Sequence, residues 1–189
     1  MRIPRSYGLF VCLASISLCP INVPTTFADD ATAAKSESVS VFDEGKLTIP
    51  AAFKRTEPAS RIIQHEFKVG EDDATARLTM MPAGGGVEAN IKRWKGQFAG
   101  GDEAEQKTEK IKVGKWEVHL VDVSGSYAER MGGGPFFGGK TVQRENYAMA
   151  GAVIVAPDSR LYFAKLIGPA DVVKSNRKLF VDMIKSLGQ

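Results

Sequence analysis

Apolar and polar side chains alternate along much of this chain, a pattern that is typical of strands with one buried face. Ala76, Leu78 and Met80, for example, share one face of such a segment. Turn-forming residues at Gly114–Lys115 and Pro157–Ser159 separate neighbouring segments. The pattern predicts strands over Lys46–Pro50, Arg61–Val69, Thr75–Met81, Lys107–Val113, Trp116–Ser126, Ala148–Ala156 and Leu161–Ile167.

Two other segments have the spacing of amphipathic helices. Val87, Ile91, Trp94 and Phe98 recur at intervals of four and three residues, which places them on one helical face. A second helix is predicted to begin after Pro169, because proline is favoured at a helix start. Its apolar stripe comprises Val172, Val173, Leu179, Phe180, Met183, Ile184 and Leu187.

These elements follow the order β-β-β-α-β-β-β-β-α, which predicts an α+β fold: an antiparallel sheet flanked by two amphipathic helices. We expect residues 41–189 to form this single domain. Residues 29–40 are small and polar, and they predict a flexible leader before it. Trp94 lies on the helical stripe and Trp116 on a strand face, so both tryptophans are expected in the core.

Residues 1–28 have the pattern of a secretory signal peptide. Arg2 and Arg5 form a basic head, the run Leu9–Cys19 is apolar, and small residues precede a cleavage point after Ala28. The apolar run is shorter than the ~20 residues that cross a bilayer. We therefore expect a cleaved protein in the periplasm or outside the cell, with no stable membrane span after cleavage.

Cysteine content and charge narrow the chemistry of the cleaved protein. Cys12 and Cys19, the only cysteines, lie inside the predicted signal peptide, so no disulfide or thiol nucleophile would remain. The chain has 25 Lys and Arg against 22 Asp and Glu, and Arg2 and Arg5 would be lost on cleavage. A nearly neutral protein without a basic stripe is not expected to bind nucleic acid.

Residues Gly134–Thr141 fit the formula of a phosphate-binding P-loop, G-x-x-x-x-G-K-[ST]. A P-loop requires a strand before the loop and a helix after it, whereas Val153–Val155 predicts a further strand. Pro135 and two phenylalanines also make the loop stiffer and more apolar than a phosphate cradle. No nucleotide or other cofactor is predicted.

The same glycine-rich loop, Met131–Gly139 (MGGGPFFGG), has two further interpretations. It could expose Phe136 and Phe137 beside the cations Arg130 and Lys140, a combination suited to binding a partner protein or a membrane surface. Alternatively it is a long connection whose phenylalanines pack back onto the domain. These four side chains are the candidate binding residues.

No residues predict catalysis or a metal site. His65 and His119 are the only histidines, and they lack the close spacing of metal ligands. His65 shares a predicted strand face with Phe67, where a structural role is expected. Residues Ser124–Ser126 lack the G-x-S-x-G turn of serine hydrolases. The protein is therefore not expected to be an enzyme, although a hydrolase built from distant residues is an alternative.

The order of elements resembles the PsbP/Mog/DcrB-like group of small α+β domains, which includes exported bacterial members. The resemblance lies in the strand Leu47–Pro50, the helix with Trp94 and Phe98, and the strand Tyr162–Pro169 before the last helix. It implies this fold and a non-catalytic role, with no catalytic residues to transfer. We expect an exported accessory protein that binds another envelope protein.

A carrier of a small hydrophobic ligand is the alternative to the accessory role. Its pocket would lie between helix and sheet and be lined by Trp94, Phe98 and Met80. The competing expectation for these three side chains is a filled core, because protein interiors are close-packed.

Overall fold

The chain builds one large antiparallel sheet and a separate hairpin. The computed structural model describes residues 37–71, 74–131 and 140–188. The strands are β1 Glu37–Val41, β2 Gly45–Ile49, β3 Lys54–Thr56, β4 His65–Glu71, β5 Ala74–Ala83, β6 Phe98–Ala99, β7 Lys107–Val113, β8 Trp116–Met131, β9 Lys140–Val155 and β10 Leu161–Pro169. The helices are α1 Val87–Lys95 and α2 Ala170–Lys185, with 3-10 turns at Glu103–Glu105 and Ser186–Gly188.

The large sheet has the order β3-β4-β5-β10-β9-β8-β6, and β7 also pairs with β8. All of its pairs are antiparallel. Strands β1 and β2 form their own antiparallel hairpin. The central strand β10 alternates between two buried sets: Tyr162, Ala164 and Leu166 point to one face, and Leu161 and Phe163 point to the other. Both faces of the sheet are therefore covered.

The larger core lies on the face covered by α2, which we call the α2 face. Helix α2 contributes Val173, Phe180, Met183 and Ile184 to it. The β1–β2 hairpin packs into the same core, which its apolar alternation explains. The sheet contributes a further set of buried side chains: Phe67, Leu78, Met80, Trp116, Val118, Leu120, Ile154, Tyr162 and Leu166.

The smaller core lies on the opposite face, which we call the α1 face. Ile91 and Trp94 of α1 pack there, and the Trp94 ring meets Phe163 edge-on with centroids 4.8 Å apart. Gly151 makes this contact possible, because a Cβ atom at that position would lie 2.7 Å from the Trp94 ring. The missing side chain lets the indole rest directly on the sheet.

The prediction of a mixed α+β fold with a mostly antiparallel sheet and two helices is confirmed. The hairpin that joins β7 to β8 through Gly114–Lys115 is also as predicted, with Gly114 at a φ of 56°. The order of elements differs, because β1, β3 and β6 are additional strands. Strands β3 and β6 have three and two residues, too few to show an alternating pattern.

The predicted leader is too long at its C-terminal end. Residues Glu37–Ser40 belong to β1, where Val39 and Val41 are buried and pair with Leu47 and Gly45. Two valines among serines are too short a signal to predict a strand, and the burial comes from the partner strand. The rest of the leader and the predicted signal peptide, with its cleavage point after Ala28, lie outside the described residues.

Three further predictions differ from the structure. Strand β4 begins at His65 rather than Arg61, because the preceding residues form turns. Helix α1 ends at Lys95, so Phe98 lies in β6 rather than on the helix. Phe98 and Trp94 are in the core of the α1 face, whereas Met80 is in the core of the α2 face. These three side chains therefore do not line a common pocket.

In the part of the chain that the structure describes, neither helix has the length and apolar character that a membrane crossing requires.

Candidate functional site

Strands β8 and β9 continue past the rest of the sheet as a two-stranded arm. They pair with each other up to Met131 and Lys140. The pairing of β10 with β9 ends at Tyr147, and the strand β6 reaches only as far as Tyr127 on β8. The arm comprises residues 126–131 and 140–146, a length of about 20 Å at ~3.3 Å per residue, and at its base Ser126 and Tyr127 still pair with β6.

A β-bulge marks the base of the arm. The register shifts between Gly125, opposite Tyr147, and Tyr127, opposite Arg144, so β9 carries one extra residue. Asn146 adopts a φ of 54° there. Gly125 has a φ of 142°, and a Cβ atom on it would lie 2.5 Å from the Ala99 carbonyl oxygen. Bulges bend and twist a ribbon, which explains why the arm departs from the sheet at this point.

Aromatic rings connect the arm to the core of the α1 face. The rings of Tyr127 and Tyr147 stack with centroids 6.2 Å apart, and Phe98 lies 5.1 Å from Tyr127. Burial raises the pKa of the Tyr127 hydroxyl, and the nearby Glu129 carboxylate adds to the shift. The base of the arm is therefore anchored by packing and is not a loose extension.

Polar pairs across the two strands hold the register farther out. Arg144 donates from Nε to Oε2 of Glu129 at 2.8 Å. The Ser126 hydroxyl lies within hydrogen-bond distance of Glu145 Oε1, at 2.9 Å, and of Gln143 Oε1, at 3.1 Å, and can donate its proton to either. Such cross-strand pairs stabilise a ribbon that has no core beneath it.

Among the predicted binding residues, the structure brings Arg130 and Lys140 together at the end of the arm. Arg130 pairs with Thr141, and the exposed Lys140 pairs with Met131. Phe136 and Phe137 lie outside the described residues, in the segment that connects the two strands. The sequence analysis missed the arm itself because its strands are polar on both sides, so no apolar alternation distinguishes them from a loop.

The two histidines do not converge. His65 is in β4 and His119 is in β8, with three strands between them, which places them about 19 Å apart. His65 Nδ1 lies 3.5 Å from Arg55 Nη1, and burial together with the charge of Arg55 lowers its pKa. His119 Nε2 lies 2.8 Å from a Glu117 carboxylate oxygen. The two cannot bind one metal ion together.

Ser124 lies in a cavity of about 380 Å³ beneath α2. Its hydroxyl donates to Glu105 at 2.7 Å, and Lys174 donates to the other oxygen of that carboxylate at 2.7 Å. These two hydrogen bonds, that of Lys174 first, lower the pKa of Glu105. A carboxylate with a lowered pKa is a weaker proton acceptor than an ordinary glutamate.

A second ion pair in this cavity also joins α2 to the sheet. Arg177 donates from Nε and Nη2 to the two oxygens of Asp122, at 2.8 Å and 2.7 Å. Two of the three cations that line this cavity, Lys174 and Arg177, are therefore paired with carboxylates, whereas Lys107 is the third, and the Arg177–Asp122 pair attaches the helix to β8.

Comparison with known proteins assigns no family to the chain: no family model matches it, and no curated protein matches it. The function is therefore inferred from the geometry of the molecule.

Proposed function

We propose that this protein is an exported, non-catalytic accessory protein of the bacterial envelope that binds a partner protein through the end of the arm. The observation that carries the proposal is the arm, whose two strands remain paired as far as Met131 and Lys140, the residues that flank the segment 132–139 in the sequence. A connection between two body strands would need no such ribbon. The loop contains Phe136 and Phe137, and the cation Lys140 is exposed beside it.

The chemistry of these residues favours a protein partner. Phenylalanines bury large apolar areas in an interface, and cations at its rim select acidic surfaces. The ion pairs Glu129–Arg144 and Lys174–Glu105 are satisfied within the chain, which supports a binding role for the loop over catalysis elsewhere. The pocket expected for a carrier of a hydrophobic ligand loses its support, because Met80 lies in a different core from Trp94 and Phe98.

We further propose that the chain is a PsbP/Mog/DcrB-like domain in which amphipathic helices cover both faces of the sheet. The separate cores under α1 and α2 support this interpretation. Export is part of the same proposal, and it predicts that the protein recovered from the periplasm or the medium begins at Asp29. Recovery of the uncleaved chain from the cytosol would contradict it.

The binding proposal is tested with a variant that removes the loop but keeps the arm. Replacing residues 132–139 by Asn-Gly leaves a two-residue connection between the paired Met131 and Lys140, the length that a tight hairpin turn requires. We expect unchanged thermal unfolding and loss of partner capture in the host envelope. Capture equal to that of the unchanged protein would exclude the loop.

Site-specific photo-crosslinking sharpens this test. A crosslinking residue at Phe136 is expected to form an adduct with one envelope protein. The matched control is the same residue at Ile62, which is 76% exposed and lies near the opposite edge of the sheet. Adducts of equal yield at both positions, or none at Phe136, would contradict the proposal.

A further inference from the structure

A cavity of about 290 Å³ lies on the α1 face, between α1 and strands β5 and β10. Its walls include Trp94, Phe163, Met81, Thr79 and two cations, Arg93 and Lys165. No acidic residue is among the described side chains that line it. A cavity with apolar walls and a few convergent charged groups is a typical small-molecule site.

Lys165 is the unusual residue of this cavity. It occupies the middle of β10, between Thr79 of β5 and Gly151 of β9, on a strand whose neighbouring side chains are apolar. Within the described residues its ammonium has no hydrogen bond and no ion pair, and its contact is with the Trp94 ring at 5.9 Å. A half-buried charge without a counter-charge is costly to a fold.

The neighbouring carboxylate is already engaged. Glu66 is 3% exposed and accepts two hydrogen bonds from Arg77, at 2.6 Å and 3.0 Å, and one from the Ala59 amide at 2.8 Å. Burial alone would raise the pKa of Glu66, but these bonds outweigh it and lower the pKa. Glu66 therefore neutralises Arg77 and leaves Lys165 without an anionic partner.

Arg93 is held in place by neutral groups only. It donates from Nη2 to Oδ1 of Asn90 at 2.6 Å. Asn90 is itself fixed, since its Nδ2 donates to the carbonyl oxygens of Gly84 and Gly86 at 3.0 Å and 2.9 Å. This chain of bonds orients the guanidinium, keeps its positive charge and leaves further N–H donors for a ligand.

The pKa of Lys165 also reflects the positive charge around this cavity. Burial lowers the pKa of Lys165 to about 8, and the charges of Arg93 and Arg77 contribute to the shift. At neutral pH the amine is still mostly protonated, so two cations border one cavity, the half-buried Lys165 from the sheet and the exposed Arg93 from α1. An anion placed between them would relieve that repulsion.

We propose that this cavity binds a small organic acid, whose carboxylate contacts Lys165 and Arg93 and whose apolar part packs against Trp94 and Phe163. The volume is at the lower end of the range for ligand sites, which fits a compound of metabolite size. The edge-on pair of Trp94 and Phe163 provides an apolar wall, and Gly151 allows the indole to lie there. This site is independent of the arm and of its partner.

The test measures binding of benzoate, hexanoate and inorganic phosphate to the purified full chain, by calorimetry and by tryptophan fluorescence. We expect saturable binding of at least one of the two acids with a change in Trp94 emission, and weaker binding of phosphate. Failure of both acids to bind at millimolar concentration would overturn the proposal. Phosphate binding as tight as that of the acids would also overturn it.

Variants show whether the cations carry the binding. Lys165→Met and Arg93→Gln are each expected to weaken the affinity for the acid about tenfold or more, which corresponds to ~1.4 kcal/mol. Arg93→Lys should restore part of it. Lys178→Met is the matched control, because Lys178 is an exposed lysine of α2 that pairs with Asp182. Equal losses in Lys165→Met and Lys178→Met would contradict the site.

Circular dichroism of each variant distinguishes loss of the site from loss of the fold. Replacing a half-buried lysine by methionine removes an unpaired charge and is expected to leave the structure intact. If Lys165→Met is folded and still binds the acid with unchanged affinity, the proposal is wrong.

Discussion

The two faces of the sheet differ in how their charged side chains are paired. On the α2 face, Arg177 is paired with Asp122, and Lys174 with Glu105, so both of these cations have a carboxylate. On the α1 face, Lys165 and Arg93 border a cavity whose described lining contains no acid. The α2 face also has the larger apolar core. The comparison indicates that the α2 face stabilises the fold, whereas the α1 face retains unbalanced positive charge.

The largest expected effect is in the core of the α2 face. Phe180 is 1% exposed and packs between α2 and the sheet, so Phe180→Ala should destabilise the protein by about 4 kcal/mol. Phe163→Ala on the α1 face should cost less, because Phe163 already borders a cavity. Urea denaturation of both variants measures the difference. Equal costs would show that the two cores are equally well packed.

The next effect depends on pH and tests the unbalanced charge. The pKa of Lys165 is about 8 in the folded protein against an ordinary value of 10.5, so the unfolded chain binds the proton more tightly. Stability should therefore rise as the pH increases from about 8 to 10.5. Lys165→Met removes this dependence and should be stabilised on the order of 1 to 3 kcal/mol below pH 8.

Urea denaturation at pH 7 and pH 10 measures this change for the two proteins. The advantage of Lys165→Met should shrink toward pH 10. A constant difference between Lys165→Met and the unchanged protein would mean that Lys165 has an ordinary pKa.

A smaller effect is expected at Gly151, which supports Trp94. Gly151→Ala places a Cβ atom 2.7 Å from the indole, so the ring must shift at a cost of about 1 to 2 kcal/mol. Tryptophan emission should move to longer wavelength as Trp94 becomes more exposed. The double variant with Trp94→Leu should recover part of the stability. If Gly151→Ala leaves both emission and stability unchanged, the indole does not rest on Gly151.

The smallest effect is expected from the ion pair beneath α2. Asp122→Asn removes a charge from the pair with Arg177, whose side chain is 42% exposed, so solvent screening limits the loss to about 1 kcal/mol or less. Thermal unfolding at low and high salt measures it. The loss should decrease at high salt, and a loss that is independent of salt would assign the effect to packing.

Periodicity predicted most of the fold because burial on one face leaves a direct trace in the chain. The strands β5 and β7 and the helix α2 lie close to their predicted positions for that reason. The strand β3 and the arm leave no such trace, since three residues are too few and the arm is polar on both sides. Their formation depends on pairing with a neighbouring strand, which the residues of each segment by themselves do not reveal.

Of the two candidate sites, the sequence predicted one and not the other. The sequence analysis identified the glycine-rich loop Met131–Gly139 and the cations Arg130 and Lys140, because their composition distinguishes them from the rest of the chain. The sequence analysis did not identify Lys165 as a candidate residue, although a lysine within the apolar run Leu161–Ile167 can be recognised in the sequence. Its relation to Arg93, on a helix more than seventy residues earlier in the chain, is set by the packing of α1 on the sheet.

The chain by itself determined its α+β class, its main helices and strands, and most of the residues that form its cores, because local propensity and hydrophobic period are properties of short segments. The tertiary structure decided which face each strand presents, how far β8 and β9 extend as an arm, and which charges are neutralised. Pairing between charges depends on distances across strands and helices, and only the folded arrangement defines them.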